Sequence, residues 1–271
     1  MKHIHYPAGD HFIYEPIVLG LGDILSGESS HTKLIGDNTF DLVVLNSSED
    51  LEPFSTIQIK DLTLARTQQA CFHPGMDGYT SAIHGVMCTG FSFEHVWIKD
   101  SGIGIRLEKD CHMGFVEKMW LGYNRCGIHL GNSGADNITD VNFGDIYMVG
   151  EFQAIPNDNL IKNYNHGIYQ DSETCGDVTF KFVTVLRYDQ GIFLRGKGGA
   201  FYHHNLDLFG NTVDQCNGGL YLENFTDTRV LNNHVMIYAK DARYIKKIKN
   251  CKITPSNYDK FNIFRGLKGL K

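Results

Sequence analysis

Gly104-Ile105-Arg106-Leu107 has a shape that recurs four times further along the chain. The later copies are Gly127-Ile128-His129-Leu130, Gly167-Ile168-Tyr169-Gln170, Gly191-Ile192-Phe193-Leu194 and Gly219-Leu220-Tyr221-Leu222. Their glycines are 127 − 104 = 23, 167 − 127 = 40, 191 − 167 = 24 and 219 − 191 = 28 residues apart. Recurrence at this spacing is typical of a solenoid, in which each repeat forms one coil and contacts only its neighbours.

Between these copies lie short segments in which apolar and polar residues alternate. They are Phe93 to Ile98, Met119 to Leu121, Val141 to Met148, Phe180 to Val185, Leu206 to Leu208 and Val230 to Ile237. Alternation with period two predicts strands, and no stretch sustains a convincing amphipathic helix. The sequence therefore predicts an all-β fold, a right-handed, single-stranded parallel β-helix of roughly ten coils that forms one domain over residues 1–271.

One side of each repeated strand is expected to face the bore of the coil. Two stacks of aliphatic side chains then fill it: Ile105, Ile128, Ile168, Ile192 and Leu220, and beside them Leu107, Leu130, Leu194 and Leu222. Gln170 interrupts the second stack, so we expect a hydrogen-bond partner for its amide or a locally distorted coil. The glycine before each strand is expected at a bend where a Cβ does not fit.

Composition and charge disfavour several kinds of partner. The formal net charge of −6 disfavours nucleic acid, because phosphate binding needs a concentrated basic surface. The basic residues Lys246, Lys247 and Lys249 are interpreted as a solvated strand face. No stretch approaches the roughly 20 apolar residues of a membrane span. Residues 1–7 hold no apolar segment of signal-peptide length, so no signal peptide is predicted.

The N-terminal residues carry a resemblance to a known group of proteins. Tyr6-Pro7-Ala8-Gly9-Asp10-His11-Phe12-Ile13, followed by Pro16-Ile17-Val18-Leu19, resembles the opening strands of pectate-lyase-like β-helices. Among these, the chain is most similar to tailspike and depolymerase proteins of bacteriophages. In that group a capping segment precedes the opening strand, whereas here the strand begins within ten residues of Met1. We therefore expect the chain to be a fragment or to be capped in another way.

The resemblance implies a polysaccharide-cleaving protein of a virion tail spike, or an extracellular one, that forms a homotrimer. Its partner would be a bacterial surface polysaccharide or another acidic polysaccharide. No cofactor is expected. Calcium, which many pectate lyases use, would need clustered carboxylates, and Asp136, Asp140 and Asp145 come nearest to such a cluster.

Outward side chains of the repeated strands are the first candidates for a substrate-binding site. Tyr169, Phe193 and Tyr221 follow one another on successive coils, with His129 on the coil before them. Aromatic faces stack on sugar rings, so these residues are expected to form a saccharide platform. Stacking that only stabilises the sheet, or a subunit contact, explains the same pattern.

Acidic side chains next to this platform are the catalytic candidates. If the repeats align, Asp171 and Glu223 lie two coils apart, with Arg195 between them, about 9.6 Å from backbone to backbone. Carboxyl groups roughly 6.5–9.5 Å apart suit inverting glycoside hydrolysis. Glu173 is an alternative acid, and a lyase could use Arg195 beside Tyr169 or Tyr221. Acidic residues at coil bends are, alternatively, merely solvated.

Two further features bear on the position of a binding groove. A second outward stripe consists of Trp97, Trp120, Tyr147, Thr184 and Asp207, and it is interpreted as a sugar groove or as the seam of a trimer. The 40-residue gap between repeats implies a loop insertion at 151–165, which is expected either to wall the site or to be a tolerated surface loop. Four further histidines show no triad-like neighbour or metal spacing and are predicted to be ordinary polar or core residues: His84, His203, His204 and His234.

Three functions stay open at this point. The first is a polysaccharide depolymerase, acting as a glycosidase or a lyase. The second is a non-catalytic β-helix that binds a glycan or forms part of a spike or adhesin. The third is an epimerase or carbohydrate esterase on the same scaffold.

Overall fold

The computed structural model describes residues 1–46, 56–67, 80–131, 137–150, 165–172, 174–197, 203–237, 243–253 and 262–266. Every regular element within these ranges is a β-strand, and successive coils pair their strands in parallel. No helix long and apolar enough to cross a membrane is found in this part of the chain. The strands wind into a parallel β-helix, as the repeat predicts.

The described strands form two sheets. The nine-stranded sheet contains, from one end to the other, β3 (Ile17–Leu19), β6 (Val43–Leu45), β8 (Ser81–Val86), β10 (Ile103–Glu108), β12 (Cys126–Leu130), β14 (His166–Ser172), β17 (Gln190–Gly196), β20 (Gly218–Glu223) and β23 (Tyr244–Lys249). The 15-stranded sheet contains β1 (His3–His5), β2 (Gly9–Phe12), β4 (Ile24–Ser26), β5 (Thr32–Gly36), β7 (Ile57–Arg66), β9 (Thr89–Lys99), β11 (Asp110–Gly122), β13 (Asn137–Val149), β15 (Thr174–Lys181), β16 (Thr184–Leu186), β18 (His203–Phe209), β19 (Thr212–Asp214), β21 (Arg229–Leu231), β22 (His234–Ile237) and β24 (Ile263–Gly266). Side chains from both sheets fill one continuous core.

The predicted inward stacks are confirmed by the register of the nine-stranded sheet. Ile105 pairs with Ile128, Ile128 with Ile168, and Ile168 with Ile192. All of these side chains are at most 2% exposed. Gln170, which interrupts the leucine stack, is 1% exposed, and its Nε2 donates a hydrogen bond to Ser172 Oγ at 3.0 Å. The amide nitrogen of this interior side chain therefore has a hydrogen-bond acceptor.

The glycines of the repeat are needed because neighbouring coils approach closely. A Cβ added to Gly104 would lie 2.6 Å from the carbonyl oxygen of Gly127, and one added to Gly127 would lie 2.6 Å from that of Gly167. Contacts this short do not occur, so a larger residue would push the coils apart. The glycine column is thus explained by coil-to-coil packing.

The long strands of the larger sheet turn corners through single left-handed residues. Asp61, His95, Lys118, Asp145 and Phe182 have φ between 51° and 57° and occupy equivalent positions on successive coils. One such residue bends the strand without ending its pairing. The corners separate flat faces, and the nine-stranded sheet forms one of these.

Candidate functional site

The outward face of the nine-stranded sheet carries two rows of side chains in register. The ring row consists of His84, Arg106, His129, Tyr169, Phe193, Tyr221 and Lys247. The charge row, two residues further along each strand, consists of Asp171, Arg195, Glu223 and Lys249, and Glu108 holds the corresponding position on β10. The alignment predicted from the repeat is therefore confirmed, including Arg195 between Asp171 and Glu223.

The aromatic members of the ring row stack on one another. The centroids of Tyr169 and Phe193 are 5.6 Å apart with planes at 12°, and those of Phe193 and Tyr221 are 4.5 Å apart at 13°. His129 contacts Tyr169 edge-on at 5.0 Å and is 5% exposed. Tyr169 and Tyr221 are each 7% exposed, and Phe193 is half-buried.

This stacking corrects the expectation of open aromatic platforms. Parallel coils place equivalent rings about 4.8 Å apart, which is close to the spacing of stacked rings, so the ring faces contact one another. Sugar contact by Tyr169, Phe193, Tyr221 and His129 stays a prediction, restricted to the exposed ring edges and hydroxyl groups.

Asp171 is surrounded by donors. Arg195 binds it in a two-point contact, Nε to Oδ1 at 2.9 Å and Nη2 to Oδ2 at 2.8 Å. Lys197 Nζ lies 3.0 Å from Oδ2, and the Tyr169 hydroxyl donates to the same oxygen at 3.1 Å. Burial alone would raise the pKa of Asp171, but the two cations outweigh it and hold the pKa below its ordinary value. Asp171 is thus an ionised carboxylate at neutral pH, the charge state that a general base requires.

Glu223 stands in a similar unit two coils further on. The Tyr221 hydroxyl donates to Glu223 Oε2 at 2.5 Å, and Lys249 Nζ lies 3.6 Å from Oε1. Burial and the hydrogen bond to Glu223 raise the pKa of Tyr221. Lys249 and Lys247 place their ammonium groups 5.4 and 5.7 Å from the centre of the Tyr221 ring. Both units join a tyrosine, an acid two residues later and a cation from the following coil.

A different cluster lies at the end of the face nearer the N-terminus. His84 Nδ1 is 2.6 Å from Asp41 Oδ2, and His84 Nε2 is 2.9 Å from Glu108 Oε1. Arg106 Nη2 contacts the other oxygen of Glu108 at 2.6 Å. Asp41 is also held by the backbone N–H of Ser81 at 2.6 Å. The sequence predicts His84 to be an ordinary polar or core residue; the structure places it between two carboxylates.

The sequence gives no signal for this cluster, since positions 41, 84 and 108 meet only because three coils stack. Burial lowers the pKa of His84, but hydrogen bonds to Asp41 and Glu108 outweigh it and raise the pKa to about 9. Burial likewise acts to raise the pKa of Glu108, yet His84 and Arg106 hold it below its ordinary value. The cluster is an ion network in which every member is charged at neutral pH.

Neutral histidines separate this cluster from Asp171. Burial, reinforced by the charge of Arg106, lowers the pKa of His129 to about 3. Burial also lowers the pKa of His166 to about 4. Both rings pack edge-on against Tyr169, at 5.0 and 4.8 Å. They act as polar packing groups at neutral pH.

Metal binding by these residues has no geometric support. The two nitrogens of His84 point to opposite carboxylates, so the three side chains do not converge on one point. Among the residues described here, no three His, Cys, Asp or Glu side chains are grouped so as to hold a metal ion. Asp136, one of the calcium candidates, lies outside the described residues.

The second outward stripe lies on the larger sheet, away from the charge row. Trp97 pairs with Trp120 and Trp120 with Tyr147, as predicted; both tryptophans are half-buried, and Tyr147 is 43% exposed. Thr184 continues the stripe. Asp207 does not, because it pairs with Thr179 and Arg229, and Thr212 takes the expected position beside Thr184. The shift follows from the corner at Phe182, which the alternation pattern does not reveal.

Two sequence predictions fall outside the described residues. Glu173, the alternative acid, is one of them. The other is the insertion at 151–165, of which only Asn165 is described.

Solved structures of phage proteins share this arrangement of coils. The tailspike protein gp49 of Acinetobacter baumannii bacteriophage Fri1, a capsular polysaccharide depolymerase, is similar with a TM-score of 0.56 and 12% identity, over 93% of this chain and 50% of that one. The fold is a right-handed parallel β-helix. ORF18 of Geobacillus virus E2 is similar with a TM-score of 0.50 and 11% identity, over 92% of this β-helix and 45% of that chain. The β-helix thus spans about half the length of these two proteins, and no family model and no curated sequence matches it.

Proposed function

We propose that this β-helix binds a bacterial surface polysaccharide or another acidic polysaccharide along the outward face of the nine-stranded sheet, and cleaves it. The observation that carries the proposal is the charge row, in which acids and cations alternate in register on a rigid sheet: Asp171, Arg195, Glu223 and Lys249. A linear polysaccharide carries the same chemical groups at regular intervals, and successive coils of a solenoid place charged side chains at regular intervals that can bind them. The similarity of the fold to that of a capsular polysaccharide depolymerase also supports a function in polysaccharide binding and cleavage.

The catalytic step is assigned to Asp171 and Glu223. Their separation by two coils, about 9.6 Å between backbones, leaves room for a sugar and a water molecule, as inversion requires. Asp171 is held ionised by Arg195 and Lys197 and serves as the base. Glu223, the more exposed of the two acids, is assigned as the proton donor. Arg195 between them neutralises charge on the substrate, and Glu173 remains the alternative acid.

Glu108 on β10 and Asp171 on β14 form a second candidate pair, with β12 between their strands. This pair is the weaker choice for hydrolysis because His84 and Arg106 also keep Glu108 ionised, so neither member donates a proton. Glu108→Gln therefore separates the two assignments, provided that its circular dichroism spectrum shows the folded protein.

The decisive experiment is a cleavage assay on purified capsular and O-antigen polysaccharides and on polygalacturonate. New reducing ends report hydrolysis, and ultraviolet absorbance of unsaturated uronates reports elimination. Asp171→Asn and Glu223→Gln are expected to lower the rate about 100-fold or more, the usual loss for an acid or base. Asp207→Asn, which alters a carboxylate paired with Arg229 on the other sheet, is the matched control. Full activity in both variants would refute the assignment.

A non-catalytic glycan-binding spike segment is the second candidate. It is favoured by the extent to which Asp171 is already engaged, with three donors around two oxygens. Binding of a polysaccharide without any new reducing end or unsaturated product would support it. In either case we propose that the protein acts in a phage tail spike or outside the cell. We also propose that it forms a homotrimer with the Trp97 and Trp120 stripe at its seam. Light scattering measures the number of subunits.

A further inference from the structure

The accessible charges at the C-terminal half of the outward face are cations. The side chains of Arg195, Lys197 and Lys249 are 32%, 35% and 46% exposed, and Lys247 is exposed as well. The acid beneath the first two, Asp171, is only 10% exposed at its side chain. A ligand approaching this half of the face meets positive charge first.

These cations are held in place. Arg195 makes its two-point contact with Asp171 and lies 5.7 Å from the centre of the Phe193 ring. Lys249 is held by Glu223 at 3.6 Å and by the face of Tyr221. The tyrosine and the acid of each unit therefore orient the cation above them, which reduces the entropy lost when a ligand binds.

Two lysines of β23, Lys247 and Lys249, belong to this same face. The sequence suggested a merely solvated strand for Lys246, Lys247 and Lys249. In the structure, Lys247 pairs with Tyr221 and Lys249 with Glu223, so both continue the rows that hold the candidate site. Their position on a shared face, and not their number, gives them a common role.

The two groups of cations are spaced two coils apart. Arg195 pairs with Glu223, and Glu223 with Lys249, so Arg195 and Lys249 are separated by about 9.6 Å along the helix axis. One sugar of an extended polysaccharide advances by about the spacing of one coil. Two coils therefore match two sugars.

We propose that Arg195 with Lys197, and Lys247 with Lys249, form two subsites that bind anionic groups carried on alternate sugars of a glycan lying along the helix axis. The inference rests on the proposed function and narrows its substrate to polymers with one carboxylate or phosphate per two sugars. Glu223, between the two subsites, faces the sugar in the middle. Glu223 supplies no cation to a charged group on that sugar, so the alternating pattern is preferred over a uniform one.

The test compares probes of known charge pattern by affinity electrophoresis and calorimetry with the full chain. The probes are hyaluronan oligosaccharides, with a carboxylate on every second sugar, polygalacturonate oligosaccharides, with one on every sugar, and neutral dextran. Hyaluronan is expected to bind more tightly than the other two. Chemical reduction of its carboxylates, or higher salt, is expected to weaken binding.

Variants then locate the contact. Lys247→Met and Lys249→Met are each expected to weaken hyaluronan binding about three- to five-fold, the effect of one exposed charge contact. Lys249→Arg should retain binding. Lys118→Met is the matched control, because Lys118 is an exposed lysine paired with Glu94 at 2.6 Å on the other sheet.

The outcomes separate this inference from the proposed function. Equal affinity for hyaluronan and its reduced form, absence of hyaluronan binding, or unchanged affinity in the double variant Lys247→Met/Lys249→Met would overturn the two subsites. Cleavage of a neutral polysaccharide would also overturn them while leaving the proposed function intact. Absence of binding and cleavage for every glycan tested would overturn both.

Discussion

Glu108 and Glu223 occupy the same row of one sheet, but their surroundings differ. The side chain of Glu108 is 9% exposed and lies between His84 and Arg106, at 2.9 and 2.6 Å. That of Glu223 is 23% exposed, and its cation Lys249 is 3.6 Å away. The strand position is the same, so the difference comes from neighbouring coils. A largely shielded histidine and arginine form an ion network with Glu108 at one end, whereas exposed lysines present positive charge to solvent at the other.

The largest expected difference between the two ends is in stability. Glu108→Gln leaves Arg106 without its anion while His84 keeps Asp41, and because these side chains are largely shielded from solvent we expect a loss of about 2 to 3 kcal/mol. Glu223→Gln, in the more exposed pair, is expected to cost less than about 1 kcal/mol. Urea unfolding followed by circular dichroism measures both.

Similar losses of unfolding free energy in Glu108→Gln and Glu223→Gln would contradict the proposed difference between the two ends of the sheet. Asp207→Asn provides a reference for a carboxylate–arginine pair on the other sheet, with the Arg229 side chain 60% exposed. Because coils of a solenoid unfold in part independently, the full unfolding curve and not only its midpoint is compared.

The histidines of the nine-stranded sheet are expected to make the stability of the protein depend on pH. His84 has its pKa raised to about 9 in the folded state, so its contribution to stability is fully present below about pH 6.5 and is lost as pH rises through 9. We expect the loss to be about 2 kcal/mol. His129 and His166, with pKa values lowered to about 3 and 4, act in the opposite direction and destabilise the fold as pH falls below 6.5.

Urea unfolding at pH 6.5 and pH 9.5 measures the alkaline effect. His84→Gln is expected to remove most of the difference between the two pH values, because Asp41 and Glu108 then have no titrating partner. An unchanged difference in that variant would show that other groups cause the alkaline loss.

The fold could be predicted from the sequence because its signal is repeated. Five copies of one strand place Ile105, Ile128 and Ile168 at the same inward position, and each copy confirms the others. The corners could not be predicted, since His95, Lys118 and Phe182 adopt a left-handed conformation that their types do not favour. Coil stacking imposes that conformation on them.

The site was predictable in its alignment and not in its contacts. The order Asp171, Arg195, Glu223 followed from the repeat. The meeting of Asp41 with His84 did not, because it depends on a turn before β6 that Arg66 fixes through bonds to the carbonyl oxygens of Phe40 and Ser81. Such turns lie outside the repeated strand, so the repeat does not predict their conformation.

The smallest expected effect concerns the ring row. It tests whether the aromatic rings contact the sugar or hold the neighbouring cations in position. Phe193 stacks on Tyr169 and Tyr221, so Phe193→Leu should lower stability by about 1 to 2 kcal/mol, while Phe193→Tyr should retain it. With the ring faces turned towards each other, hyaluronan affinity should fall less in Phe193→Leu than in Lys249→Met. Calorimetry on folded protein measures both affinities. A larger fall in Phe193→Leu than in Lys249→Met would show that the rings contact the sugar and contribute more to hyaluronan binding than the lysines do.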